Sequence, residues 1–420
     1  MKTSTILTLA PLVGLALAAP SARYSHDIQT FARRDGPAGA HDEPAGGESH
    51  EGMDMGGEPA EGGHGGMSMP KGPSSFAELM EPGGIMDSIM PKGLKVMSTK
   101  QLTAETKVAG AKRMRIRYGP FKLKPSGSPQ PWNPARMDPD GNEFSYIAEG
   151  FPKDVTILTT NSTLEYSNGT EADVNNGVYN HHFLFANQNK QAVNPIGCSN
   201  GNTSSGLPMS VIGGASEANR NTQFYVPDGS QNIGYYVSPN DQVRISSELA
   251  NYSPIEKDIY EVTDIEYVEG KVPGSLESNL QQLSVTTCLG NAEMVEAPAG
   301  KKQFSFTADK LVIDKPGYIL YRRGHLHDGG NDVSLTHNGK NICTSKAIYG
   351  GPKHTTVIDG KKWETIGEMT SCEDAVEVKP GDTLAVTASY DLDAHPAREH
   401  SGGGGMGGEM GLMVIMFAPK

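Results

Sequence analysis

The sequence predicts an all-β protein. It reads as two antiparallel β-sandwich (jelly-roll-like) domains with a cleft between them, preceded by a disordered His/Met/Gly-rich segment. Three observations lead there. From about Leu94, short runs rich in Val, Ile, Thr, Tyr and Phe alternate with clusters of Gly, Pro, Asn and Asp, as strands alternate with turns. No stretch sustains the 3.6-residue apolar period of an amphipathic helix. About 320 residues remain once the N-terminal segments are set aside, which is large for one sandwich and comfortable for two.

Taken in order, residues 1–18 read as a secretory signal. Lys2 supplies the charged start, Ile6 to Ala18 the apolar core, and Ala16-Leu17-Ala18 the small-x-small cleavage pattern. The core is too short to span a bilayer and no later apolar run is long enough, so the mature chain is expected to be secreted and free of the membrane. Residues 19–34 read as a short pro-segment ending at Arg33-Arg34, or else those two arginines are an exposed basic pair. Residues 35–93 are a low-complexity His/Met/Gly-rich segment with too few branched apolar residues to bury a core. Inside it, His50-Glu51-Gly52-Met53-Asp54-Met55 and His64-Gly65-Gly66-Met67-Ser68-Met69 repeat the pattern His-x-x-Met-x-Met. Thioethers beside imidazoles are soft ligands that select Cu(I), so the repeat reads as auxiliary copper capture.

The predicted strands include Met114–Tyr118, Asp154–Leu158, Gln223–Val226, Gln242–Ile245, Ile259–Val262, Gln303–Phe306, Leu311–Ile313, Tyr318–Tyr321 and Thr383–Val386. The N-terminal sandwich is placed at residues 94–297 and the C-terminal one at 298–420, with Glu296-Ala297-Pro298-Ala299-Gly300-Lys301-Lys302 as the linker. A Gly-rich loop, Ser401 to Gly408, precedes a last strand, Leu412 to Phe417. That strand is apolar throughout and therefore expected to be central.

Composition sets outer limits. The 420 residues carry 36 basic and 49 acidic side chains and a formal charge of −13, with no basic patch or stripe, so nucleic acid is not an expected partner. The four cysteines, Cys198, Cys288, Cys343 and Cys372, allow three pairings. Sequence order favours Cys198–Cys288 and Cys343–Cys372, one bridge per domain, in an oxidising compartment. Asn161, Asn168 and Asn202 head glycosylation sequons. Asn251 heads a fourth that Pro254 disfavours.

The residues that carry chemistry fall into three groups. His325-Leu326-His327 follows an apolar strand, and residues two apart on a strand share a face, so two imidazoles stand side by side. His181-His182 is an adjacent pair, which can share a metal only where the strand ends or bends. The end of the chain offers His395, His400, Met406, Glu409 and Met410. Met410 lies where a ligand can swing inward from the last strand. Two imidazoles with one thioether form a copper set, because thioether sulfur is a poor ligand for hard metals. His337 and His354 lie in polar, turn-like segments and read as surface.

These motifs together resemble the type II ascorbate-dependent copper monooxygenases, which include the peptidylglycine α-hydroxylating enzymes. The resemblance rests on Arg323-x-His325-x-His327, on Glu409-Met410 opening the final strand, on His181-His182-Phe183-Leu184-Phe185, and on Val226-Pro227-Asp228-Gly229 followed by Ile233-Gly234-Tyr235-Tyr236. The C-terminal half is also similar to the plant stress-upregulated nodulin family, through His325-Leu326-His327-Asp328-Gly329-Gly330, Ile342-Cys343, Tyr349-Gly350-Gly351, Met369-Thr370-Ser371-Cys372, Gly381-Asp382 and Met410-Gly411. The resemblance implies one copper on His181 and His182 that passes electrons, and a second on His325, His327 and Met410 that meets dioxygen. It also implies an ascorbate-type reductant and hydroxylation of a substrate C–H bond.

The sequence departs from that family in two places. No third histidine occurs between Phe183 and His325, and Glu248 falls near the position where one is expected. Arg323 stands where the peptide enzyme fixes a substrate carboxylate, but Leu412 and Val414 replace the polar residues that complete that clamp, so a peptidylglycine substrate is not supported. Two functions follow: a secreted copper-dependent monooxygenase-like enzyme with Arg323 as a substrate anion contact, or a non-catalytic, stress-related extracellular copper-binding glycoprotein. A single-metal cupin built on His325 and His327 is weaker, since it lacks a glutamate three or four residues after His327.

Overall fold

In the computed structural model, the described residues are 89–420 apart from 132, 134–135, 137, 139, 192–193, 202–208, 230, 290–293, 359–360 and 398–408. The signal, the pro-segment, the His/Met repeats (His50, Met53, Met55, His64, Met67, Met69), Asn202, His400 and Met406 lie outside them. The described residues all fall in one compact unit, Ser68–Lys420. Among them no helix is long and apolar enough to cross a membrane.

The fold is all-β, in four principal sheets paired face to face. Its main strands are β1 (Lys112–Leu123), β2 (Gly141–Glu149), β3 (Val155–Glu165), β4 (Val178–Asn187), β5 (Ser210–Ala215), β6 (Ile233–Val237), β7 (Val243–Asn251), β8 (Lys257–Glu269), β9 (Asn279–Ser284), β10 (Gln303–Ile313), β11 (Gly317–Leu326), β12 (Gly330–His337), β13 (Lys340–Tyr349), β14 (Thr383–Asp391) and β15 (Glu409–Pro419). In the first pair, β2-β7-β4-β5 run antiparallel, and Lys92–Lys95 joins β2 in parallel. Facing them are β6-β3-β8-β1, with Ser98–Leu102 outside β1. Alternate residues point inward and close a core of Ile116, Tyr118, Phe121, Phe183, Phe185, Ile245 and Ile265.

The second pair sets β9-β15-β11 against β13-β12-β14-β10. Its core holds Leu311, Val333, Leu335, Val386, Met413, Ile415 and Phe417. β15 lies between β9 and β11, which explains its apolarity on both faces. One face, carrying Met413, Ile415 and Phe417, closes the second core. The other sends Met416 and Ala418, with Leu320 and Tyr321 of β11, into the first core. The sheet β9-β15-β11 is therefore the shared wall of the molecule.

Local differences from the sequence reading have simple causes. Gln303–Phe306 and Leu311–Ile313 form one strand, β10, because an irregularity between Ala308 and Leu311 absorbs the polar interruption. Near Gln223 the strand is Asn221–Gln223 rather than Gln223–Val226. Three strands that precede residue 298, Ile196–Cys198, β9 and Met294–Val295, belong to the second pair of sheets. The bridges are Cys198–Cys288 and Cys343–Cys372. Because Ile196–Cys198 crosses over to pair with β10, both bridges sit in the second sandwich, not one in each. Asn161 and Asn168 are exposed. Asn251 is fully buried, and its amide donates to the carbonyls of Leu123, Lys124 and Ile255, so it is no glycan acceptor.

Candidate metal centre

A β-bulge brings His181 and His182 together. In the ladder between β4 and β7, Glu248 faces His182 and Leu249 faces Asn180, which leaves His181 as the extra residue. A bulge bends the strand and re-aims its side chains, so two consecutive residues can serve one site. The two Nδ1 atoms lie 3.2 Å apart. Glu248 is the cross-strand neighbour and is fully buried. Its Oε1 accepts the backbone N–H of Asp138 at 2.6 Å, while Oε2 lies 3.8 Å from His181 Nδ1. Donor atoms of His181, His182 and Glu248 all fall within 4.8 Å of one another. That spacing and donor chemistry fit a transition-metal ion.

The opposite wall comes from β11 and β15. Alternation on β11 turns Tyr321, Arg323 and His325 into the pocket, and His327 follows just past the strand end. Arg322 faces the other way, wholly buried, with its guanidinium on the carbonyl and carboxylate of Asp374. On β15, Met410, Leu412, Val414 and Met416 line the pocket. The register pairs His325 with Leu412 and Arg323 with Val414, and it ends with Leu326 opposite Gly411.

The two histidine pairs meet. The ring centroids of His181 and His327 are 6.0 Å apart, as are those of His325 and His327. Burial pushes the imidazole of His182 down to about 4. Burial, with His182 nearby, does the same to His325. Both rings are therefore neutral near pH 7, the form that binds metals. The pocket they share measures about 290 Å³, and apolar side chains, among them Leu184, Val211 and Leu280, make up much of its wall. Arg323 is its cation. Nε donates to the Met369 carbonyl at 2.9 Å and an Nη to the Tyr321 hydroxyl at 3.1 Å, and among the described residues it has no carboxylate partner.

Glu409, next to Met410, points away from this pocket. It is buried, and burial together with the Asp328 carboxylate pushes its carboxyl up to about 8. His395 stacks on Tyr349 at 3.6 Å and does not line the pocket.

The chain matches the model of the family described as stress up-regulated Nod 19 over residues 201–419. It belongs to the stress up-regulated Nod 19 family. The match includes Glu248, Arg323, His325, His327 and Met410, and begins after His181-His182. The chain is 30% identical over 240 residues to a probable copper-dependent oxygenase M1 of Phoma sp., covering 56% of each chain. It is 29% identical over 233 residues to a probable copper-dependent oxygenase clz3 of Cochliobolus lunatus, covering 55% of this chain and 69% of that one. The chain thus spans little more than half the length of the first relative. Among solved structures, N-glycanase F matches at 10% identity with a TM-score of 0.33, over 73% of this chain and 96% of its own.

Some residues around this Nod 19 pocket carry no local sequence signal. His354, read as surface, is half-buried with Nδ1 2.8 Å from Glu217 Oε1. Glu217 is itself tied to Asn180, one residue from the bulge, through its backbone N–H. Trp363 arrives on the hairpin Thr355–Ile358/Lys361–Glu364 and packs against Tyr179 and Tyr252. Long-range strand placement alone sets these contacts.

Proposed function

We propose that this protein is a copper-dependent oxygenase that hydroxylates a C–H bond of a mainly apolar substrate using dioxygen and an ascorbate-type reductant. The observation that carries it is the 6.0 Å approach of His181 to His327, which sets the His325–His327 pair beside the cluster of His181, His182 and Glu248, next to a pocket lined by His181, His182, His325 and Met410. The two relatives named as probable copper-dependent oxygenases support copper and oxygenase chemistry. Bound copper would supply the dioxygen chemistry. His181, His182, His325 and His327 would hold it as neutral imidazoles, Glu248 as a carboxylate and Met410 as a soft thioether. Leu184, Leu412 and Val414 would exclude water and cover the apolar part of the substrate. Arg323 would anchor an anionic group on it.

The wider reading is an exported glycoprotein. Two disulfides are compatible with an oxidising compartment. Asn161, Asn168 and Asn202 would carry glycans, and the His50–Met69 repeats would collect copper before the core takes it up.

The test is metal analysis of the copper-loaded, desalted full chain, with oxygen uptake under a reductant. The proposal expects copper that is lost in His325→Ala, and reductant-dependent oxygen uptake that falls in Met410→Ala. Bound copper without oxygen consumption would favour the non-catalytic copper-binding glycoprotein instead.

A further inference from the structure

The pocket explains the histidines but not the aromatic cluster behind them. Tyr179, one of the two residues flanking Asn180 before the bulge, has its ring 6.1 Å from that of His181, centroid to centroid. Tyr252 lies 6.1 Å and Trp363 6.2 Å from Tyr179, and Tyr252 and Trp363 are 6.3 Å apart. These are contact distances for aromatic pairs. All three rings are half-buried, so the chain of contacts runs from the metal-site imidazole to the protein surface. Tyr252 also has a proton acceptor: its hydroxyl donates to Asp138 Oδ2 at 2.7 Å. Asp138 is the residue whose backbone N–H holds Glu248.

We propose that Tyr179, Tyr252 and Trp363 form a redox outlet that drains oxidising equivalents from the metal site when no substrate is present, sparing His181 and His182 from oxidation. The inference rests on the copper reading above. Tyr and Trp are the side chains that give up one electron most readily, and Tyr does so best when its proton has somewhere to go. The oxidant is hydrogen peroxide formed or supplied at the reduced site. With copper bound, its two-electron reduction would take one electron from the reduced ion and one from Tyr252 by way of Tyr179. The phenolic proton leaves along the hydrogen bond that Tyr252 donates to Asp138. With one further proton from solvent, the products would be two waters, the oxidised ion and a neutral Tyr252 radical. Trp363, in contact with both tyrosines, shares the hole. An external one-electron reductant restores the ring at the surface.

The experiment uses the full chain loaded with copper, reduced with ascorbate and mixed with a few equivalents of hydrogen peroxide without substrate. Copper content is measured first in every sample. Freeze-quench electron paramagnetic resonance then reads aromatic radicals, and peptide mass spectrometry reads oxygen adducts on His181 and His182. Wild type is expected to give a radical signal with little histidine oxidation. Tyr252→Phe and Trp363→Phe keep a packed ring but cannot be oxidised as easily, and should lose most of the signal while histidine adducts rise several-fold. Tyr179→Trp should restore protection that Tyr179→Phe removes, which a packing role alone would not produce. Absence of bound copper overturns both this inference and the functional proposal. Bound copper with no radical in wild type, or with equal histidine oxidation in all variants, overturns this inference alone.

Discussion

Glu248 faces His182 across the ladder of β7 and β4, and the register slips immediately beyond it, so that Leu249 faces Asn180 and His181 is left over. One carboxylate, two imidazoles and a bulge are therefore a single construction. A carboxylate takes the place near which a third imidazole was expected. It is held there by the Asp138 N–H and brought to 3.8 Å from His181.

The convergence of the two histidine pairs predicts coupled copper binding. If His181 and His327 serve one centre, His181→Ala and His327→Ala should each weaken Cu(I) binding by at least about tenfold, the scale on which even supporting groups act. The double variant should lose less than the sum. A double-mutant cycle measured by chelator competition should give an interaction energy of about 1–3 kcal/mol. Additive losses would mean two centres that do not share their ligands' fate.

Gly141 tests the seat of Glu248. A Cβ there would stand 2.4 Å from Glu248 Oε1 and 2.8 Å from the Asp138 carbonyl oxygen. The second neighbour is backbone and cannot swing aside. Gly141→Ala should therefore push Glu248 from its place and cost about 1–3 kcal/mol of stability. Copper affinity should drop while the fold persists. Chemical denaturation and copper titration of the same sample check it, and unchanged copper affinity would remove Glu248 from the site.

How much of this was legible in the sequence depends on the range of the interaction. Strand alternation is local, so the common face of Arg323 and His325 and the inward row Met410, Leu412, Val414 follow from residue spacing. The all-β class and the central last strand follow from composition and apolarity in the same way. The bulge at His181 is a property of two strands and cannot be read from one. The same holds for Ile196–Cys198, whose crossover to β10 carries the Cys198–Cys288 bridge into the second sandwich. His354 reads as surface because its hydrogen-bond partner Glu217 is distant in sequence.

Arg323 should govern substrate choice without touching metal content. Its side chain is anchored by Met369 and Tyr321 and has no carboxylate partner among the described residues, so an anionic substrate group can take that role. Arg323→Met keeps the apolar stem and removes the charge. For an anionic substrate, KM should rise by about 10–100-fold, matching the ~1.5–3 kcal/mol of a charged hydrogen bond. Copper per chain should not change. Equal kinetics for charged and neutral substrates in the variant would support the assignment, and equal kinetics in wild type would remove it.

Glu261 makes a stability prediction independent of metal. It lies on β8 inside the first sandwich, 1% exposed. Ser247 donates to its Oε1, and Oε2 has no hydrogen-bond partner. Burial pushes its carboxyl up from 4.5 to about 8. The folded state thus keeps a proton that the unfolded chain releases above about 4.5. Between those values the unfolded state binds fewer protons, so stability contributed at low pH is lost as pH rises toward 8. Glu261→Gln keeps the shape and the acceptor for Ser247 but has nothing to ionise. It should match wild type near pH 5 and exceed it at pH 8 by about 2–4 kcal/mol, on the scale of 1.36 kcal/mol per unit. Denaturation curves for both proteins at the two pH values decide it. Parallel behaviour would mean that Glu261 is ionised in the folded protein and that the carboxylate, not the acid, meets Ser247.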